Sequence, residues 1–423
     1  MAGTGLNAVL LHDRRPSIRI SKNTIIIIVL FILYPIVSLP LVFSEIYKGK
    51  RYAYSLLAIF IGYFAFLYPP AGDLYRYRED YILYYRESFS TFLTYLTFKL
   101  DFLFSFLLYF LGKLDVPCDF SRFIYTWIAS DCLFQIFYDK TKTLRISSPN
   151  KVFLLFIIYW LYVNFIVLMY RYGFSSALFA TGYYYLYYKN QKITAIVFIS
   201  LAVLNHFSYI IFALCIIVQK LFAYYGNKWI SIVGILWALF FSFDFLTPII
   251  EAVPLPDYIK SHLLAYTNGF WAQEFLADQS FKNIILTWLN KLRLISLFVI
   301  YVLYFKKSPI SGFLTMGTVM LMFASISGTI STRFEIALLL PFLLFFFDLV
   351  MENQLKNFKF VRKVFIVIGL LFIFASVWSH RREYSISYEY KLLFPTAVIL
   401  PTTYSQSWVD NHIDNKGEPI GLY

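Results

Sequence analysis

Apolar runs of about 20 residues recur along almost the whole of this 423-residue chain. A helix of that length is about 30 Å long, the thickness of a bilayer's hydrocarbon core. In lipid every backbone N–H and C=O must be satisfied internally, which leaves helices or closed barrels. The runs do not alternate polar with apolar, so a barrel is excluded. Spans are predicted near 24–44, 52–69, 121–138, 152–170, 173–188, 228–248, 284–304, 309–327, 334–351 and 361–379. Composition agrees: the chain is 60% hydrophobic and 14% charged, against about 45–50% and about 25% in soluble domains. The expectation is a single all-α, polytopic transmembrane domain over 1–423, with about 11–13 helices. Outer loops are expected at 70–99 and 251–283, and a tail on that same side at 380–423. The Thr24–Pro40 run is too long for a signal peptide and lacks a small-residue cleavage site.

Two stretches depart from the pattern. Residues 193–220 are apolar but interrupted by Asn205, His206 and Ser208. Each half would rise only about 20 Å as a helix, less than the core thickness. A short helical hairpin is predicted, with His206 near its tip. The run 100–112, between Asp101 and Lys113, is also short; it is either a tilted crossing or a helix that dips and returns.

Charge decides between them. The net charge of +13 reads first as topology, because basic loops stay cytoplasmic. Five connections are basic: Lys48, Lys50, Arg51; Lys140, Lys142, Arg145, Lys151; Lys189, Lys192; Lys306, Lys307; and Lys356, Lys359, Arg362, Lys363. If 100–112 dips, all five share the cytoplasmic side. The 70–99 loop, Arg171, His206, the 251–283 loop, Arg333 and the tail then share the other. Arg14, Arg15, Arg19 and Lys22 run against this scheme, which puts them outside. No basic run forms a solvated face, which argues against nucleic acid. Cys118, Cys132 and Cys215 form no CxxC pair, so neither a metal nor a redox cofactor is expected.

The segment PPAGDLYRYRED, Pro69–Asp80, follows an apolar run directly. It carries five charges, on Asp73, Arg76, Arg78, Glu79 and Asp80, and the phenols of Tyr75 and Tyr77. The bland account is a solvated loop with internal salt bridges. Yet Pro69, Pro70 and Gly72 fix a turn at a helix end, and Arg beside carboxylates suits phosphate or sugar hydroxyls. Arg171, in LMYRYGFSSALFA, reads blandly as a snorkelling residue. The small Gly173, Ser175, Ser176 and Ala177 beside it let a helix or ligand come close. Arg333 opens another span, and Glu335, two positions on, would point elsewhere. His206 is either a packing residue or, in a broken hairpin, part of a site. Arginines and a histidine on one side suit an anion with several oxygens, such as a lipid diphosphate. Part of the 22% aromatic content can stack on sugar faces.

The order of DLYRY, then YRYGFSSALFATGYYYLYYKNQK, then AVLNHFSYIIFAL resembles the bacterial Wzy/EpsG-type polysaccharide polymerases. The resemblance covers roughly 50–220 in motif and the rest in hydropathy. Asp73 with Tyr77 matches the family's loop, Arg171 its arginine, and His206 with Ser208 its His-Ser pair. Ala71-Gly72 stands where Gly-Thr is usual, and Tyr172 where Gln is common. The family implies a GT-C type helical fold and an inner-membrane enzyme active on the periplasmic side. It would move a glycan from undecaprenyl diphosphate to the non-reducing end of an incoming lipid-linked repeat, without a cofactor, and a chain-length regulator is a partner to test. Asp73 and His206 are then the catalytic candidates, and Arg76, Tyr77, Arg78, Arg171, Ser208 and Arg333 would bind substrate. A polyprenyl-phosphate-dependent glycosyltransferase, a membrane O-acyltransferase and a lipid-linked oligosaccharide flippase are the alternatives. A flippase should show repeated halves, and no internal repeat is visible.

Overall fold

The computed structural model describes residues 21–423 except 98, 100, 144–152, 154–155, 159–163, 241–249, 255, 258–259, 262–263, 265–280, 326–327, 353 and 421–423. Residues 152, 154–155 and 159–163 of the 152–170 span, most of the 251–283 loop and the arginines at 14, 15 and 19 lie outside the described residues. The described residues are helical, with no strand and one isolated bridge, Ile413 to Pro419. The all-α expectation is met to that extent.

The first predicted span divides into α1 (Lys22–Leu33) and α2 (Pro35–Tyr47). Proline disfavours helical backbone in the residue before it, and Tyr34 is held at φ −139°, ψ 87°. The centre of the fold is the antiparallel pair α3 (Arg51–Leu67) and α7 (Asp119–Thr143). At one end the Arg122 guanidinium donates to the Tyr68 carbonyl. At the other, Arg51 Nε donates to Gln135 Oε1 at 2.7 Å. Between them Ser55 Oγ donates to Asp131 at 2.7 Å.

The whole excursion 68–118 therefore leaves and returns at one end of this pair. The segment expected as an outer loop at 70–99 is largely helical among the described residues. The excursion contains α4 (Asp73–Arg86), α5 (Phe89–Leu96) and α6 (Phe102–Lys113). Leu74 and Tyr84 are buried while Glu79 and Tyr85 are exposed, so α4 is an amphipathic helix whose charges hid its apolar stripe. At 12 residues, α6 is about 18 Å long. It lies along α4, with Tyr77 against Phe104 (4.8 Å) and the Lys113 ammonium donating to the Tyr85 carbonyl (3.0 Å).

Next come α8 (Asn164–Leu168) and α9 (Tyr170–Tyr187), which packs on α7. The predicted hairpin is α10 (Lys192–Asn205) and α11 (Tyr209–Leu221). Then follow α12 (Lys228–Phe240), α13 (Phe281–Leu303), α14 (Pro309–Ala324), α15 (Gly328–Met351) and α16 (Phe358–Ser379). Among the described residues two helical stretches, Ile330–Met351 and Phe358–Ser379, are long and apolar enough to cross a membrane. The first is buried; the second exposes Leu370, Leu371, Phe374, Val377 and Trp378.

The tail is folded rather than trailing. It forms α17 (Arg381–Ile386), a 3-10 turn (Glu389–Leu393), α18 (Thr396–Ile399) and α19 (Gln406–His412). Tyr404 stacks on Tyr388 at 4.6 Å, and Val409 and Ile413 pack beneath with Ala71 and Tyr75. Gly72 N–H donates to the Gly417 carbonyl at 2.8 Å. Gly417 sits at φ 86°, and a Cβ there would lie 3.0 Å from the Gly72 oxygen. The segment is thus clasped onto the turn that launches α4.

Candidate functional site

Arg171 lies in the first turn of α9, just past the end of α8. Its guanidinium pairs with Asp101 Oδ2 at 3.0 Å and lies over the rings of Tyr77 (5.0 Å) and Phe104 (5.7 Å). The other carboxylate oxygen of Asp101 accepts from the Phe207 N–H at 3.0 Å. One carboxylate therefore ties the start of α6, the start of α9 and the tip of the hairpin.

Asn205 makes a second tie. Its amide donates to the Arg171 carbonyl (2.9 Å) and to Ser175 Oγ (2.7 Å), and its oxygen accepts from Tyr125 (2.6 Å). It is fully buried, and a buried amide needs such partners. Helix α10 ends there because His206 is extended, at φ −149°, ψ 107°.

His206 is buried, with Nδ1 sharing a hydrogen bond with Ser208 Oγ at 2.9 Å. Its ring meets the Tyr172 ring edge-on at 4.9 Å, and the Tyr172 hydroxyl donates to the Arg333 carbonyl. Arg333 is thereby held beside the histidine from α15. Glu335 is turned away, within electrostatic reach of Lys291 and Arg293 of α13, as its helical offset predicts.

Asp73 begins α4 directly after Gly72, whose φ is 58°, and Tyr77 follows one turn later. Burial raises the Tyr77 phenol above its ordinary range; Arg171 and Arg333 pull it down, and Asp73 and Asp101 push it up. Tyr77 thus shares one field with both arginines and both carboxylates. Asp73 pairs with Arg76 at 2.8 Å.

Asp73, Arg76, Tyr77, Arg171, His206, Ser208 and Arg333 accordingly gather at one end of the bundle. Arg78 does not join them: its Nε donates to Gln406 Oε1 of the C-terminal segment at 3.4 Å. Asp80 pairs with Lys99 at 2.9 Å. The walls are aromatic, with Tyr170 edge-on to Tyr77 (5.3 Å) and to Phe104 (5.5 Å). No group of three or more His, Cys, Asp or Glu side chains that could hold a metal occurs among the described residues.

The C-terminal segment borders this end. Asp119 accepts from the Tyr404 N–H (3.2 Å) and from Arg122, which also holds the Tyr68 carbonyl. Burial raises the Glu389 carboxyl from 4.5 to about 8, opposed by its hydrogen bond with Ser387.

Sequence reading passed over Asp101, which marked only the edge of a short apolar run, and Asn205, which marked only an interruption. Both are polar residues at the break of an apolar helix. That signal was present for each, but nothing in the sequence said that they face each other across Arg171. No family model, curated protein or solved structure matches the chain significantly.

Proposed function

We propose that the chain is a polytopic membrane enzyme that polymerises lipid-linked oligosaccharide repeats, with its site on the periplasmic face of a bacterial inner membrane. The observation that carries this reading is the gathering of Arg171, Arg333, Tyr77, Asp73 and the His206 hairpin at one end of a helical bundle. Apolar side chains exposed on α1, α10, α11, α12 and α16 support membrane embedding. A GT-C type of architecture is part of this proposal and rests on the resemblance alone.

In the reaction the oxygen of an acceptor hydroxyl bonds to the donor's anomeric carbon. The bond from that carbon to the diphosphate oxygen breaks, the hydroxyl proton passes to a base, and the lipid diphosphate leaves with the added charge. Arg171 and Arg333 would hold that diphosphate, because guanidinium forks match phosphate oxygens. Asp101 would fix the direction of Arg171. Asp73 is the first choice of base. Its ion pair with Arg76 also fits a carboxylate that orients an arginine, and His206, with Nδ1 committed to Ser208, is the second. Tyr77 and Tyr172 would contact the sugar.

An acidic residue at this position, opening the first helix after a bundle-end turn, also suits a glycosyltransferase that uses a polyprenyl monophosphate sugar. Purified protein in liposomes with one lipid-linked repeat separates the readings. Chain extension is expected. Addition of a single sugar supports the monophosphate enzyme, and movement across the bilayer without covalent change supports a flippase. Orientation is checked by an impermeant thiol reagent on intact cells: Ser208→Cys should label and Lys142→Cys should not. The reverse pattern sinks the topology.

A further inference from the structure

A cleft of about 800 Å³ opens between the two arms of the hairpin. The arms meet at residues 206–208 but are anchored to different neighbours. Helix α10 is drawn onto α9 at Gly182, where a Cβ would lie 3.0 Å from the Ala195 carbonyl oxygen. Helix α11 is held elsewhere. Phe212 packs on Phe334 of α15 at 5.0 Å, and a Cβ on Gly312 of α14 would lie 3.1 Å from Gln219 Cγ. The arms therefore splay, leaving a wedge floored by Leu186 and Asn190 at the end of α9.

Its walls are apolar, with Ile196, Ile199 and Val203 on one arm and Ile216 and Ile217 on the other. The cleft is open along Ile196 and Ile217, which are exposed, and its volume is that of a ligand site. The charge lies at one end only. Lys192 opens α10 and Lys220 closes α11, both line the cleft, and no carboxylate does. Neither lysine forms an ion pair among the described residues, whereas nearby Lys189 is matched by Asp139 at 2.5 Å. The Lys220 ammonium rests over the Tyr187 ring at 4.7 Å, which keeps it at the rim.

We propose that this cleft is a binding site for one anionic phospholipid. The acyl chains lie between the arms and the phosphate lies between Lys192 and Lys220. The site is on the opposite end of the hairpin from His206 and is separate from the proposed catalytic centre. It rests on the membrane embedding proposed above. An isoprenoid tail would fill the apolar walls equally well, but its phosphate would belong at the arginine end; the lysines decide for a lipid of the other leaflet.

The test is native mass spectrometry of the detergent-purified full chain after incubation with equal amounts of phosphatidylglycerol and phosphatidylcholine. Retention of phosphatidylglycerol over phosphatidylcholine is expected. Each lysine near a headgroup contributes about fivefold, so Lys192→Ala with Lys220→Ala should lower that preference about 25-fold. Ser200→Trp, which fills the cleft from an exposed position, should lower retention of both lipids. Equal retention of the two lipids, or an unchanged preference in the double lysine variant, overturns the proposal. So does a polyprenyl phosphate that displaces both lipids and is itself blocked by Ser200→Trp. Alkaline carbonate extraction reads the membrane embedding separately. A protein released by carbonate refutes the embedding, whereas one retained without lipid preference refutes only the cleft.

Discussion

Helix α9 carries Arg171 in its first turn, and Lys189 lies just past its end, about 27 Å away at helical rise. The two neighbourhoods are built from different materials. Around Arg171 the turn at 68–72, Asp101 before α6 and the break at 206–208 meet. The Phe207 N–H is satisfied by Asp101, and the carbonyls of Arg171 and Arg333 accept from Asn205 and Tyr172. The cations there are arginines, and Arg171 is set over the rings of Tyr77 and Phe104. Around Lys189 the cations are lysines, and two of them, Lys189 and Lys140, are closed off by carboxylates. Lys189 pairs with Asp139, Lys140 with Asp348, and Tyr184 donates to Asp139 at 2.7 Å. Those groups sit on or just beyond the unbroken helices α7, α9 and α15. A charge locked on regular helices holds the bundle together. A charge at a convergence of irregular backbone leaves room for a ligand whose oxygens match its fork.

If that contrast is right, substitutions at the first end should lower activity at constant protein level, and substitutions at the second should lower protein level at constant activity. The largest effect is expected at the base. Loss of a general base costs about 10²–10⁴ in rate, so Asp73→Asn should keep the fold and lipid binding while chain extension falls by that order. Normal extension in Asp73→Asn beside an inactive His206→Ala would move the base to His206. Normal extension in both would sink the site and strengthen a transporter reading.

At the opposite end Lys140→Ala strands Asp348. Removing one member of a buried pair costs about 3–5 kcal/mol. Asp348 is 28% exposed, so a loss near the lower bound, about 3 kcal/mol, is expected. It should appear as a lower unfolding midpoint with unchanged turnover per folded molecule. A fall in turnover instead would show that the two ends are coupled.

Arg171→Lys retains the charge but gives up the fork. A hydrogen bond to a charged group is worth about 1.5–3 kcal/mol, so activity should drop about 30-fold. Wild-type activity in this variant would reject the phosphate role.

Gly417→Ala is expected to cost about 1–2 kcal/mol, since Gly417 holds a positive φ against the Gly72 backbone. The effect should be faster proteolysis within 380–420 rather than global unfolding. A further effect on the same segment is pH-dependent. Glu389 is raised from 4.5 to about 8 by burial, so the folded segment favours the protonated form. Its contribution is fully present below pH 4.5 and is lost as pH rises through about 8. Proteolysis of the C-terminal segment should therefore be faster at high pH than at low pH, and Glu389→Gln should remove the dependence. A pH-independent rate in the wild-type chain would discard the assignment.

Some of this was written in the chain itself. Apolar run length required helices, because lipid or a large core leaves the backbone no other way to satisfy its polar groups. The interruption at Asn205, His206 and Ser208 required a break, and a hairpin of short arms followed from helical rise alone. The turn before Asp73 followed from Pro69, Pro70 and Gly72. Other features had no one-dimensional signature. The charges of 73–86 masked an amphipathic helix whose buried face, Leu74 and Tyr84, is decided by what packs against it. The 380–423 segment looked like a tail, because a clasp between Gly72 and Gly417 joins residues 345 positions apart in a 423-residue chain. Arg171 could be recognised as an unusual charge at a helix start. That it faces Asp101, Tyr77 and the hairpin tip was decided only by tertiary structure. Pairing between distant helices depends on how whole faces pack, and no local run of residues encodes the partner.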